Sequence, residues 1–187
     1  MEKLDVLNFL VLLVLLFSAT ATGSDIMGAL SLIFSFGVIF KRLFSNNSKK
    51  LSLDLFEKAI LVYFLLVTLS LFASSLFTLS LHGYIKTFIY ILFFFCAGIF
   101  FQNNKDKITP TLLFIAALAS YESIIAIMQN MSGVKEISGW QDMTRINPEQ
   151  VVSRAYGTLQ PYNPNLLAGY LLACLSSFIY LILNNLI

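Results

Sequence analysis

The chain has 187 residues, of which 58% are hydrophobic and only 12% are charged, and its formal net charge is +2. Soluble domains carry about 25% charged residues, so this composition excludes a protein whose whole surface faces water. The small net charge gives no indication of nucleic acid as a partner. We therefore predict an all-α, polytopic integral membrane protein.

Six apolar runs along the chain approach the length of about 20 residues that a membrane-spanning helix needs. We predict a single transmembrane domain of six spans, at about residues 4–22, 26–40, 59–80, 84–101, 110–128 and 166–183. The second run is short, but Lys41 and Arg42 can extend it to the far interface with their long side chains. The sequence "GSD" at residues 23–25 separates the first two spans, because it joins a flexible residue to a helix-capping pair.

The first span has an alternative interpretation as a cleaved signal peptide. Its apolar core covers residues 6–17, and small residues at 19–21 give an A-x-A-like end. Against this, Glu2 and Asp5 cancel much of the positive charge that a signal peptide carries at its start. Cleavage would leave the orientation of the later spans unchanged.

The distribution of positive charge predicts the orientation of the spans, because Lys and Arg concentrate on the cytoplasmic side. Four of the twelve Lys and Arg residues lie on the side opposite the N-terminus, namely Lys86, Lys135, Arg145 and Arg154. The other eight lie on the side of the N-terminus, which is therefore predicted to be cytoplasmic. The one long loop, residues 129–165, then lies outside.

Glu122, in "ASYESII", is the one carboxylate in the interior of a predicted span, since Asp5 lies at the very start of the first. An acid at the centre of a membrane helix costs about 2.5–3.5 kcal/mol on insertion scales, so it needs a partner or a cavity. Lys86, near the start of the fourth span, is the candidate partner. In the alternative interpretation, Glu122 is protonated or hydrogen-bonded to a neighbouring helix, and Lys86 extends outward.

The remaining chemistry-bearing residues give no metal or cofactor site. Cys96 and Cys174 both lie within apolar runs, where packing is a better explanation than a disulfide or a metal. The sequence has no cluster with metal-ligand spacing, no glycine-rich phosphate loop and no nucleophile elbow. We therefore expect no metal and no cofactor.

The end of the long loop, "RAYGTLQPYNPNLLAGYLL" at residues 154–172, carries the polar cluster that points to a ligand. Asn163 is a good N-cap and Pro164 fits the first helical position, so the sixth helix should begin there. Its free N–H groups, with the guanidinium of Arg154, suit a phosphate-like anion. Gly157 allows the intervening chain to turn back. Alternatively, Arg154 is a headgroup anchor and "NPN" only a helix start.

This stretch resembles the signature of the O-antigen ligase and polymerase superfamily, in which an arginine precedes an asparagine-proline-asparagine and a "LLAGYLL"-type helix. The stretches "SYESIIAIMQNMSGVKEISGWQDM" and "SLHGYIKTFIYIL" resemble its cyanobacterial branch, whose members are described as bicarbonate transporter-like. The resemblance implies ten to fourteen spans in a bacterial cytoplasmic membrane. It also implies that the C-terminal part of the family fold is missing here.

The resemblance also implies a function, because these ligases and polymerases join a lipid-pyrophosphate-linked glycan to an acceptor at the outer face. Arg154 matches the arginine that holds the donor pyrophosphate. In the family's enzymes, a second arginine and a histidine in a later loop complete the site, and His82 is not that histidine. We therefore expect no catalytic residue in this chain. The chain alone would be inactive. The expected partners are membrane lipid and a lipid-linked glycan donor or a small anion. The expected anion-binding residues are Arg154, Asn163, Asn165 and Lys86.

Two function classes therefore remain, a glycan ligase or polymerase and a protein for bicarbonate uptake. An anion site fits both classes. The position of the signature at the membrane surface favours the ligase, because transporters place their sites near the bilayer midplane at repeats or broken helices. The sequence leaves the oligomeric state open.

Overall fold

The computed structural model describes residues 2–21, 24–44, 54–132, 155, 157–159 and 164–184. Within these residues the chain forms six α-helices and a three-residue 3-10 helix at Lys105–Lys107, with no strand. All six helices are long and apolar enough to cross a membrane. The protein is therefore an all-α polytopic membrane protein, as predicted. The helices are α1 Glu2–Ala21, α2 Ser24–Leu43, α3 Leu55–Phe72, α4 Phe77–Asn103, α5 Ile108–Ser132 and α6 Pro164–Leu183.

The chain divides into two compact units, and the first two helices contribute to both. The first unit consists of Met1–Leu12 and Gly28–Lys105, and the second of Leu13–Met27 and Asp106–Ile187. The first two spans are separate helices, since α1 ends at Ala21 and α2 begins at Ser24, and Ser24 and Asp25 of the predicted break therefore belong to α2.

The core of the first unit is built around Phe34, which is fully buried. Its ring lies 5.4 Å from that of Phe93 and 5.5 Å from that of Phe100, in tilted and edge-on arrangements that aromatic quadrupoles favour. Cys96 is also buried here, and its thiol lies 3.8 Å from the carbonyl oxygen of Ser35. Cys96 and Cys174 are both free and buried.

The helices α1 and α2 are joined within the first unit by an ion pair between Asp5 and Lys41. The Lys41 ammonium lies 2.5 Å from each carboxylate oxygen of Asp5. The helix continues through Lys41 to Leu43, so α2 is 20 residues long rather than short. Lys41 and Arg42, which were predicted to extend the second span, therefore belong to the helix. The charge of Lys41 is neutralised by the carboxylate of Asp5 on α1.

The boundary between the third and fourth spans differs from the prediction. The predicted third span runs to residue 80, but α3 ends at Phe72 and α4 begins at Phe77. The Ser74 hydroxyl accepts a hydrogen bond from the Leu76 N–H at 3.2 Å and lies 2.6 Å from the Ser80 hydroxyl. Serine side chains that bond to nearby backbone compete with helix formation, and hydropathy does not register this competition.

This shift changes the setting of two residues. His82, which the sequence placed in a loop, lies inside α4, and so does Lys86. Lys86 is nine residues beyond the first residue of α4, not two residues into a span. The prediction was wrong at both positions for the same reason, because the turn lies at the serines between Phe72 and Phe77 rather than at residues 81–83.

The second unit is organised by the packing of α5 against α6. The buried residues of α5 include the small residues Ala116 and Ala119, and small residues let membrane helices approach closely. The buried residues of α6 are Leu167, Cys174, Ser177 and Leu181. The start of α6 at Pro164 confirms the helix start predicted from the "NPN" sequence.

Candidate functional site

The candidate site is a polar cluster on one face of α5, formed by Glu122 and Gln129. These residues are seven apart, which is close to two helical turns, so both side chains project from the same side of the helix. Glu122 is fully buried and Gln129 is half-buried. Buried polar side chains in a membrane helix require hydrogen-bond partners, and both find them in the segment 157–159.

Glu122 binds Thr158 with both of its carboxyl oxygens. The backbone N–H of Thr158 donates to Oε2 at 2.9 Å, and the Thr158 hydroxyl is hydrogen-bonded to Oε1. These contacts agree with the alternative interpretation in which Glu122 is hydrogen-bonded, except that its partner lies in a loop rather than in a neighbouring helix. The pairing of Glu122 with Lys86 stays a prediction.

Gln129 binds the backbone of Gly157 at both of its polar groups. The Gly157 N–H donates to Gln129 Oε1 at 3.0 Å, and Gln129 Nε2 donates to the Gly157 carbonyl at 2.9 Å. The side-chain amide of Gln129 thus bonds to the backbone of Gly157 as a neighbouring strand does in a sheet. It satisfies the partly buried N–H and C=O groups of Gly157, which belong to no helix or strand.

Gly157 itself turns the chain, as the sequence predicted. Its φ of 67° lies in the left-handed region, which L side chains rarely adopt. A Cβ at this position would collide with Glu122 Oε2 and would come within 3.1 Å of Leu167 on α6. Glycine is therefore required both for the backbone angle and for the close approach of the loop to α5.

The segment 157–159 is also attached to the end of α1. The Thr158 hydroxyl lies 2.7 Å from the carbonyl oxygen of Thr20, which belongs to the last turn of that helix and has no partner within it. Leu159, the next residue, is only 3% exposed. The segment is thus held by α5, by the end of α1 and by burial of its own leucine.

The predicted site residues do not all belong to this cluster. Glu122 is part of it, and Asn165 is the second residue of α6, with an exposed side chain. Lys86 belongs to α4 in the first unit. Arg154 and Asn163 lie outside the described residues, so their predicted roles stay predictions.

Sequence reasoning missed Gln129 of the cluster, and it missed Thr158 and Thr20, which connect the cluster to the segment 157–159 and to α1. Gln129 could have been found, because it is polar and lies seven residues after the one intramembrane acid on the same helix. Thr158 and Thr20 carried no comparable signal. Their contacts join positions 36 and 138 residues apart, which no local pattern predicts.

Two further observations concern the described part of the chain as a whole. No group of three His, Cys, Asp or Glu side chains comes together there as a metal ion would need. An open depression of about 520 Å³ in the first unit, at the turn between α3 and α4, is lined mainly by hydroxyl groups and contains no charged side chain. Its polar lining includes Ser70, Ser74, Ser75, Ser80, Tyr84 and Thr87.

The cluster is suited to holding a loop rather than to performing bond chemistry. Glu122 bonds to Thr158, and Gln129 bonds to the backbone of Gly157. These bonds hold the segment 157–159, which lies in the sequence between Arg154 and the start of α6. No known protein family, curated protein or solved structure matches this chain.

Proposed function

We propose that this protein binds the pyrophosphate group of a lipid-linked glycan at the outer face of a bacterial cytoplasmic membrane, as members of the O-antigen ligase and polymerase superfamily do. In this proposal, Arg154 supplies the positive charge, and the N-terminus of α6, capped by Asn163, supplies free N–H groups. Asn165 lies in the first turn of the same helix. The proposal assigns binding of the donor to this chain and assigns no catalytic residue in it.

The observation that carries the proposal is the attachment of the segment 157–159 to α5. This segment begins three residues after Arg154 and ends five residues before Pro164. Four hydrogen bonds from Glu122 and Gln129 hold it in place. A loop that is fixed before its ligand arrives loses less conformational entropy on binding, and therefore binds more tightly.

The orientation in this proposal rests on the positive charges. With the N-terminus in the cytoplasm, the fifth and sixth helices are joined at the outer face, where lipid-linked glycan donors are presented to ligases. A bicarbonate site would use the same cation and N–H groups, since both ligands are anions. The surface position of the loop favours the lipid-linked donor over a transported ion.

Substitution of Arg154 tests the proposal. Arg154→Lys keeps the charge but loses the planar fork that binds two phosphate oxygens at once, so we expect it to impair function substantially. Arg154→Ala should impair function further while leaving the protein level unchanged, because exposed loop arginines contribute little to folding. The measurement is restoration of surface glycan in a strain that lacks the gene, with protein level followed by immunoblot. Full restoration by Arg154→Lys would show that the arginine is only a headgroup anchor.

A further inference from the structure

We propose that Glu122 is present in the folded protein as a neutral carboxylic acid, which donates a hydrogen bond to the Thr158 hydroxyl while accepting one from the Thr158 N–H. In this role Glu122 is a positioning residue, since it acts through the loop rather than on a ligand. The inference does not depend on what the loop binds, so it can fail or succeed separately from the proposed function.

The argument rests on counting hydrogen atoms around the Thr158 hydroxyl. This oxygen is hydrogen-bonded to Glu122 Oε1 and lies 2.7 Å from the Thr20 carbonyl oxygen. A hydroxyl has one hydrogen and two acceptor lone pairs. A carbonyl oxygen can only accept, so the single hydrogen of the hydroxyl goes to Thr20. The hydrogen between Thr158 and Glu122 must then belong to the carboxyl group.

The second carboxyl oxygen completes the assignment. Oε2 accepts from the Thr158 N–H at 2.9 Å. One oxygen of Glu122 is thus a donor and the other an acceptor, which matches a carboxylic acid and not a carboxylate, whose two oxygens both accept. The acid recognises the two polar groups of Thr158 in one orientation only, and this fixes the segment 157–159 on α5.

The surroundings of Glu122 agree with a neutral group. Its side chain is fully buried, and its hydrogen-bond partners in the described part of the chain are two groups of Thr158, neither of which is charged. A charged carboxylate within a membrane-spanning helix is costly. The ionisable groups of α6 near it are Tyr170 and, beside Tyr170, Cys174. The backbone of Thr20 faces it from α1, with Thr158 between them.

Infrared spectroscopy of the full chain in lipid nanodiscs tests this assignment. Exposed Asp and Glu side chains are ionised at pH 7, because their pKa values are about 4. A neutral Glu122 therefore gives a C=O band of a carboxylic acid, which the ionised carboxylates do not give. We expect the wild type to show this band, its shift in D₂O, and its loss in Glu122→Gln. Glu57→Gln is the matched control, because Glu57 is exposed in the capping box of α3, and it should leave the band unchanged.

A second measurement covers the positioning role. In Glu122→Gln the amide N–H₂ can donate to the Thr158 hydroxyl and the amide oxygen can accept from the Thr158 N–H, so hydrogen exchange in the segment 157–159 should match the wild type. Glu122→Ala removes both bonds, and exchange there should accelerate by about tenfold or more. If Glu122→Gln does not fold, Thr158→Val serves instead, because loss of the hydroxyl should move the band to higher frequency.

The wild-type spectrum decides the outcome. Absence of the carboxylic acid band at pH 7, or its survival in Glu122→Gln, would overturn the proposal. So would a band that Thr158→Val leaves in place. Exchange that is equally fast in Glu122→Gln and Glu122→Ala would overturn the positioning role.

Discussion

Gly157 shows how a single residue connects the backbone of the loop to the buried acid of α5. Its left-handed backbone angle and the absence of a side chain are both used, since Glu122 and Leu167 occupy the space where a Cβ would lie. The same residue gives both of its backbone polar groups to Gln129. At this position the requirement for glycine therefore comes from conformation, packing and hydrogen bonding together.

We expect Gly157→Ala to destabilise the protein. The left-handed backbone alone costs an L residue about 1–2 kcal/mol, and the new methyl group would also displace the Glu122 carboxyl from Thr158. The matched control is Gly169→Ala within α6, where a Cβ meets nothing within 4 Å, and where alanine should stabilise by up to about 1 kcal/mol. Thermal unfolding in detergent measures both. Equal effects of the two substitutions would contradict this account of Gly157.

Among the elements, the six helices were largely predictable from hydropathy, because length and composition alone decide whether a segment can span a membrane. The start of α6 was predictable from "NPN", since the N-cap and first-turn preferences are local. The end of α3 was not predictable from hydropathy, because Leu76, Phe77 and Leu79 keep the average hydropathy after Phe72 high despite the serines. The hydrogen bonds of the Ser74 hydroxyl, rather than the average hydropathy, mark the turn.

The candidate site was predictable only in part, and the reason is the range of its contacts. Glu122 stood out because an acid in an apolar run needs a partner, and Gly157 because glycine permits a turn. The identity of the partner was not predictable, since Thr158 lies 36 residues beyond Glu122 and reaches it only through the fold. The sequence offered Lys86 as an ionic partner, whereas the described contacts of Glu122 are hydrogen bonds to uncharged groups.

For the whole molecule, the orientation proposed from positive charge places residues 133–163 outside the cell and residues 45–53 inside. Labelling of single cysteines introduced at Gln141 and Ser48, in a background without Cys96 and Cys174, measures this. We expect a membrane-impermeant reagent added to intact cells to label position 141 and not position 48, because the loop that carries Lys49 and Lys50 is predicted to stay in the cytoplasm. Labelling of position 48 from outside would reverse the topology.

In the proposed function, this protein holds an anionic group through Arg154. The most direct measurement is binding of a polyprenyl pyrophosphate to the full chain in nanodiscs, with Arg42→Ala as the control because this arginine lies at the end of α2. We expect Arg42→Ala to bind as the wild type does, and Arg154→Ala to bind at least about tenfold more weakly, since a charged hydrogen bond contributes about 1.5–3 kcal/mol. Inorganic pyrophosphate should compete more strongly than bicarbonate. Equal binding by the wild type and Arg154→Ala would contradict the claim.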